Sequence, residues 1–284
     1  MKPRPAFFAA ATAAALAAAV APAESQSPAP LPDAALTYAD LADLSVTAPI
    51  AAHVRVVRAI ALKEKQAPGV GPGQSRLFVE ADVVSLIRST EGLPSRLRYV
   101  VDLPHSAKGK APKIAKGSQF ILLAAPVPGR PGEIRLIAPD AQIAWTPQRG
   151  EQLRSLLREV TGPRPAPRIT GIGRAFHVPG AIPGESETQI FLQTAAGDPV
   201  SLSILRRPGE TPYWSVALSE IVDDAAQPPK RDTLLWYRLA CALPRALPRH
   251  SLADADSAAA RAIRGDYALV LERLGPCVRS RTRG

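Results

Sequence analysis

The chain has 284 residues, a formal charge of +10, 30 prolines and two cysteines. An apolar fraction of 46% is that of a globular protein and excludes a disordered chain. Two cysteines exclude a cysteine-ligated zinc site. The positive charge favours anionic partners.

Lys2 and Arg4 precede an uncharged run from Ala6 to Val20, and Ala21-Pro22-Ala23 follows it. That order of basic, apolar and small residues predicts a cleavable signal peptide over residues 1–23. The competing reading is a membrane anchor, but a span needs roughly 20 apolar residues and this run is short and mostly alanine. Export implies a periplasmic or secreted protein, with no transmembrane span expected in the mature chain. An anionic envelope component or a protein is the expected partner, and no nucleic acid is expected. Residues 24–35 have linker composition, and Asp33 is the expected cap of a short helix reaching Leu44.

A β-rich domain is predicted over 36–147. Val54, Val56, Arg58 and Ile60 alternate with Arg55 and Val57. Leu77, Val79, Ala81 and Val83 alternate with Phe78, Glu80 and Asp82, and Leu97, Tyr99, Val101 and Leu103 with Arg96, Arg98 and Asp102. Phe120–Leu123 and Ile134–Ile137 are apolar runs. Period-two alternation turns one set of side chains inward and the other to water, so five such strands predict a small antiparallel barrel or sandwich, OB-like by preference. Two loops stand out. Ala67–Gly73 is a Gly/Pro hairpin insert, and His105–Gly117 carries Lys108, Lys110, Lys113 and Lys116.

Residues 148–167 read as a helix and a Pro-rich connector. Thr146 and Pro147 fit the N-cap and first turn, and Leu153, Leu156, Leu157 and Val160 form an apolar stripe. An α+β domain with a basic tail is expected over 168–284. Its strands are Ile169–Val178, Thr188–Thr194, Val200–Leu205 and Trp214–Leu218, with a turn at Ala196-Gly197-Asp198. Two helices follow: one from Asp232 to Cys241, and one opened by Ser251 and Asp254 as a capping box and stopped by Gly275-Pro276. The whole is thus α+β, mainly β, in two small domains.

No catalytic residue, metal ligand or cofactor is predicted. A Gly-x-Ser-x-Gly elbow is absent, and His53, His105, His177 and His250 lack metal-ligand spacing. His177 sits at a strand end just before Glu185, Ser186 and Glu187, so it is the one candidate general base, weighed against a structural histidine. Neither Gly171-Ile-Gly173 nor Gly69-Val-Gly71 continues to a dinucleotide fingerprint. Lys108, Lys110, Lys113 and Lys116 are the anion-binding candidates, against the plainer reading of a solubilising loop. Arg273, Arg279, Arg281 and Arg283 form the basic tail.

Phe176–Leu192 together with Asp232–Cys241 resembles uncharacterised exported proteins of high-GC alphaproteobacteria. The resemblance implies a Gram-negative envelope setting and brings no activity. The expectation is a non-catalytic binding or interaction protein. The alternatives are an envelope hydrolase using His177 and an inhibitor-like module presenting the Ala67–Gly73 loop. Export also predicts a disulfide between Cys241 and Cys277, with two buried free thiols as the alternative. A second helix of about 20 residues spans roughly 30 Å. The bridge therefore requires that helix to bend, to start late or to lead into a returning tail.

Overall fold

A computed structural model describes residues 36–106, 108–218 and 226–281. The expected signal peptide, the 24–35 linker, Asp33 and Arg283 lie outside the described residues. Leu36–Gly284 pack as one compact unit.

Helix α1 (Tyr38–Ser45) opens that unit, capped by a reciprocal Thr37–Asp40 box. Strands β1 (Ile50–Ala61), β2 (Gln74–Arg88), β3 (Arg96–Pro104), β4 (Gln119–Pro126) and β5 (Ile134–Leu136) pair in the order β3-β2-β1-β4-β5. Strand β6 (Gln142–Ala144), too short to leave a period in the sequence, adds to β4. Arg98 N donates to Gly132 O at 2.8 Å and a parallel bridge joins Arg98 to Glu133, so β3 approaches β5 and the sheet nearly closes. This is the OB-like barrel that the alternation predicted.

Ile50, Ala52, Val54, Val56, Leu77, Val79, Ala81, Leu97, Tyr99 and Val101 fill the barrel. The alternation of β1 fails beyond Val56. A bulge between Val56 and Arg58 inserts one residue, which reverses the parity of the strand. Ala59 then turns inward, and Ile60, expected on the same face as Val54, stands exposed on the outside.

Helix α2 (Pro147–Thr161) begins as the sequence indicates, with Thr146 Oγ1 accepting from Arg149 N. Strands β7 (Ile169–Pro179), β8 (Ser186–Thr194), β9 (Val200–Arg206) and β10 (Tyr213–Ala217) form an antiparallel meander, with Gly197 at φ 83° in the β8–β9 turn. Helices α3 (Leu234–Ala240) and α4 (Ser257–Leu274) follow. The segment expected as a connector is built into the packing. Leu153, Leu156 and Leu157 of α2 share one core with Ala51, Ile121 and Leu123 on the barrel's outer side, with Ile172, Ile190 and Leu202 of the second sheet, and with Leu239 and Ile263 of the last helices.

Gly150 is buried in the first turns of α2 because the Trp145 ring lies on it. A Cβ there would stand 2.2 Å from Trp145 Cη2. The other face of the seam is equally tight: the Trp145 and His53 rings stack at 3.6 Å with 6° between their planes.

The cysteines are bonded, Cys241 to Cys277. Two features meet the length objection. Helix α4 starts late: Asp256, not Ser251, is its cap, accepting from Ala258 N and Ala259 N, and Ser251 belongs to a separate 3-10 turn at Arg249–Leu252. Helix α4 also runs antiparallel to α3, so Tyr267 Oη reaches Pro244 O at 2.5 Å and Trp236 Nε1 reaches Leu274 O at 2.8 Å. Gly275, at φ 70°, reverses the chain, and the tail returns along α3 to Cys241.

Candidate functional site

The lysine loop leaves β3 and crosses to β4. Ser106 organises its tip: Gly109 N donates to Ser106 O at 2.8 Å and Lys110 N to Ser106 Oγ at 3.2 Å. Ile114 is the foot, packed against the barrel core, and Gly117 N donates to Val56 O at 2.8 Å. Lys108, Lys110, Lys113 and Lys116 are all exposed, and none has an ion-pair partner among the described residues. The hairpin insert beside them is tied by Arg76, whose Nη1 donates to Pro68 O at 3.2 Å while Nε and Nη2 grip Asp102 at 2.7 Å.

The tail arginines behave differently. Arg279 Nε donates to Asp43 Oδ2 at 2.6 Å, and Tyr237 Oη donates to Asp43 Oδ1 at 2.6 Å. Arg281 grips Asp140 through Nε at 2.5 Å and Nη2 at 2.7 Å. Between them, Asp40 accepts from Ser280 N at 2.9 Å, Ser280 Oγ at 2.7 Å and Thr37 Oγ1 at 2.8 Å. Burial alone raises a carboxyl pKa. Here the Ser280 and Thr37 hydrogen bonds outweigh burial and hold Asp40 at about 2. The same carboxylate caps α1 and pins the C-terminal segment. Arg273 is exposed in the last turn of α4, where the helix dipole favours a cation.

All four histidines have local partners. His53 Nε2 meets Gln119 Oε1 at 2.7 Å, His105 Nε2 meets Ser75 Oγ at 2.9 Å, and His250 Nε2 donates to Ile172 O at 2.9 Å. Burial lowers the pKa of His53, and Arg154 and Arg55 add to the effect against an opposing Gln119 hydrogen bond.

His177 Nδ1 lies 2.8 Å from Thr188 Oγ1, and Thr188, fully buried, gives its proton to Asp266. Thr188 therefore accepts from the Nδ1–H of His177, which in a neutral ring leaves Nε2 as the acceptor. Arg206 closes the chain, with Nε 2.6 Å from Asp266 Oδ1. Glu185 and Ser186 are not hydrogen-bonded to His177. Glu185 O instead accepts from Gly180 N across the β7–β8 turn. Thr188, Asp266 and Arg206 carried no sequence signal, because α4 meets β8 only in the fold.

Gly171 and Gly173 lie in β7, where register shifts flank Gly171 and fall between Ile172 and Ala175, and not in a phosphate loop. Trp214 and Trp236 are core residues. Among the described residues no group of three His, Cys, Asp or Glu side chains could hold a metal, and no helix is long and apolar enough to cross a membrane.

A second basic feature lies where the end of β2 meets α2. Leu86, Ile87, Arg88, Arg154, Leu157, Arg158 and Thr161 line a groove of about 360 Å³. Arg154 and Arg158 stand one turn apart on α2, a spacing visible in the sequence, whereas Arg88 joins them only in the fold.

What these features define is a class: a mainly-β α+β protein in which a nearly closed barrel and an open meander share one core, with basic loops and grooves on the barrel side. No protein-family model matches the chain, and no curated protein is similar to it.

Proposed function

We propose that this is an exported, non-catalytic binding protein of the cell envelope that holds anionic partners through the lysine loop. One observation carries the reading. Lys108, Lys110, Lys113 and Lys116 are exposed, and without an ion-pair partner among the described residues, on a loop anchored at both ends, while Arg279 and Arg281 are neutralised within the protein. Single surface charges contribute little and are screened by salt, so the grip is collective. The test is retention on vesicles of equimolar phosphatidylcholine and phosphatidylglycerol. The K108A/K110A/K113A/K116A variant should lose retention at low salt, and unchanged retention refutes the reading. The disulfide supports export, since such bonds persist in oxidising compartments. Mass spectrometry of periplasmic protein should find Glu24 first, and a mature form retaining Met1 sinks the export reading.

The hydrolase alternative has one observation in its favour, the Thr188–Asp266 chain that orients His177 and leaves Nε2 as an acceptor. A screen of esters, peptides and glycosides decides it. Activity lost in His177→Ala would replace the binding reading.

A further inference from the structure

The groove between β2 and α2 is unlike the rest of the basic surface. Elsewhere on the barrel, arginines face carboxylates in register across the strands: Arg58 on Glu80, Arg96 on Asp82, Arg76 on Asp102. The groove brings Arg88, Arg154 and Arg158 together, and no carboxylate lines it. Arg158 is paired outside it, with Glu151 at 2.9 Å across the exposed side of α2.

Arg88 and Arg154 are half-buried and pair with no carboxylate among the described residues. Both are nevertheless held in place. Arg88 Nη1 donates to Ser45 O at 3.3 Å. Arg154 lies 5.7 Å from the centroid of the Trp145 ring, itself stacked on His53, and its Nη2 is 3.5 Å from Ser85 Oγ. Each fork keeps further N–H donors to offer, because a guanidinium has five. Withdrawing such cations from water without a counter-charge is unfavourable, and a bound anion relieves that cost. The positive potential of Arg154 extends to His53, whose protonation it opposes. Apart from Thr161, the remaining wall is apolar: Ile87, the buried Leu157, and Leu86, which is 46% exposed. A volume of about 360 Å³ lies within the ordinary range of roughly 300–1,000 Å³ for small-ligand sites.

We propose that this groove is a binding site for a phosphate ester with an apolar neighbouring group. The Arg88 and Arg154 forks take the phosphate oxygens in the bidentate geometry that guanidinium favours, Arg158 adds charge at the rim, and Leu86 and Ile87 take the apolar part. The site is separate from the lysine loop and does not rest on it.

The test titrates the full chain with monomeric dihexanoyl phosphatidic acid and with inorganic phosphate, by calorimetry. Saturable binding of the lipid should weaken about ten-fold in R88Q and again in R154Q, as expected for the loss of a charge-assisted hydrogen bond. It should be unchanged in K108A/K110A/K113A/K116A. R154K keeps a positive charge near Trp145 but loses the fork, so intermediate affinity with an unaltered unfolding midpoint separates binding from folding. Absence of saturable binding, or equal affinity in wild type and R88Q/R154Q, overturns the site. Inorganic phosphate binding as tightly as the lipid overturns the role of Leu86 and Ile87. Vesicles of equimolar phosphatidylcholine and phosphatidic acid, tested in the K108A/K110A/K113A/K116A background so that the loop adds no grip, distinguish the sources. Retention lost in R88Q/R154Q assigns the phosphate to a membrane lipid, and retention kept while the soluble ester is lost assigns it to a free phosphate ester.

Discussion

The C-terminal segment sets Arg279 on Asp43 and Arg281 on Asp140, whereas Lys108, Lys110, Lys113 and Lys116 meet no carboxylate among the described residues. Both segments read alike in the sequence, as short basic runs rich in turn residues. The difference lies in what the fold brings beside them. The tail returns along α3 and α1 to meet Asp40 and Asp43 of α1 and Asp140 of the β5–β6 connection. The loop projects from the barrel with only its apolar foot, Ile114, inside. Arginine suits the first setting, since its planar fork matches a carboxylate, and lysine, a compact hydrated charge, suits the second. A basic run thus acquires meaning from its partners, and the tail is a structural clamp.

That contrast can be broken most severely at the disulfide. The bridge separates its cysteines by 36 positions, and a loop of that size corresponds to about 4 kcal/mol of stability. Urea unfolding with and without reductant should show that loss, and an unchanged midpoint would mean the tail is held without the bridge. Asp40→Ala comes next. It strips the acceptor from Ser280 and Thr37 and should cost about 2–3 kcal/mol, with new proteolysis after Gly275. An uncut tail in this variant would show that Arg279 and Arg281 suffice.

Acidity separates the two regions further. The folded pKa of Asp40 lies below its unfolded value, so its contribution is complete above about pH 4 and is lost as the pH falls toward 2. His53, in the barrel–α2 seam, responds earlier. Its native pKa is lowered by burial and by Arg154 and Arg55, so the unfolded chain takes up a proton first. Stability should therefore fall as the pH drops through the ordinary histidine value of about 6.5. His53→Gln should flatten that limb and leave the acid limb of Asp40 in place, as read by thermal unfolding across pH. The smallest effect belongs to the lysine loop. Changing all four lysines to alanine should move stability by no more than about 0.5 kcal/mol, because nothing in the fold depends on them. A larger loss would show that the loop is structural after all.

Strand parity shows how far local reading reaches. Leu77, Val79 and Ala81 point inward as their alternation says, and Val54 and Val56 do too, but one inserted residue in β1 turns Ile60 outward. Apolar period is a local property that a bulge can reset without any change in composition. The α4 capping box misled for a similar reason. Ser251 and Asp254 have plausible spacing, yet Asp256 caps the helix and the 3-10 turn holding Ser251 packs over β7, with His250 bonded to Ile172.

By itself, then, the sequence determined the mainly-β character, most of the larger elements within a few residues, the cap and stripe of α2, and which two cysteines would pair if a bridge formed. Each follows from neighbours along the chain or from a count that leaves one partner. Only the tertiary structure decided which charges are consumed and which remain. Thr188 finds Asp266 across 78 positions, Ser280 finds Asp40 across 240, and Arg88 joins Arg154 through the packing of β2 on α2. Contacts of that range are set by how the sheets and helices share a core, and short-range periodicity carries no record of them.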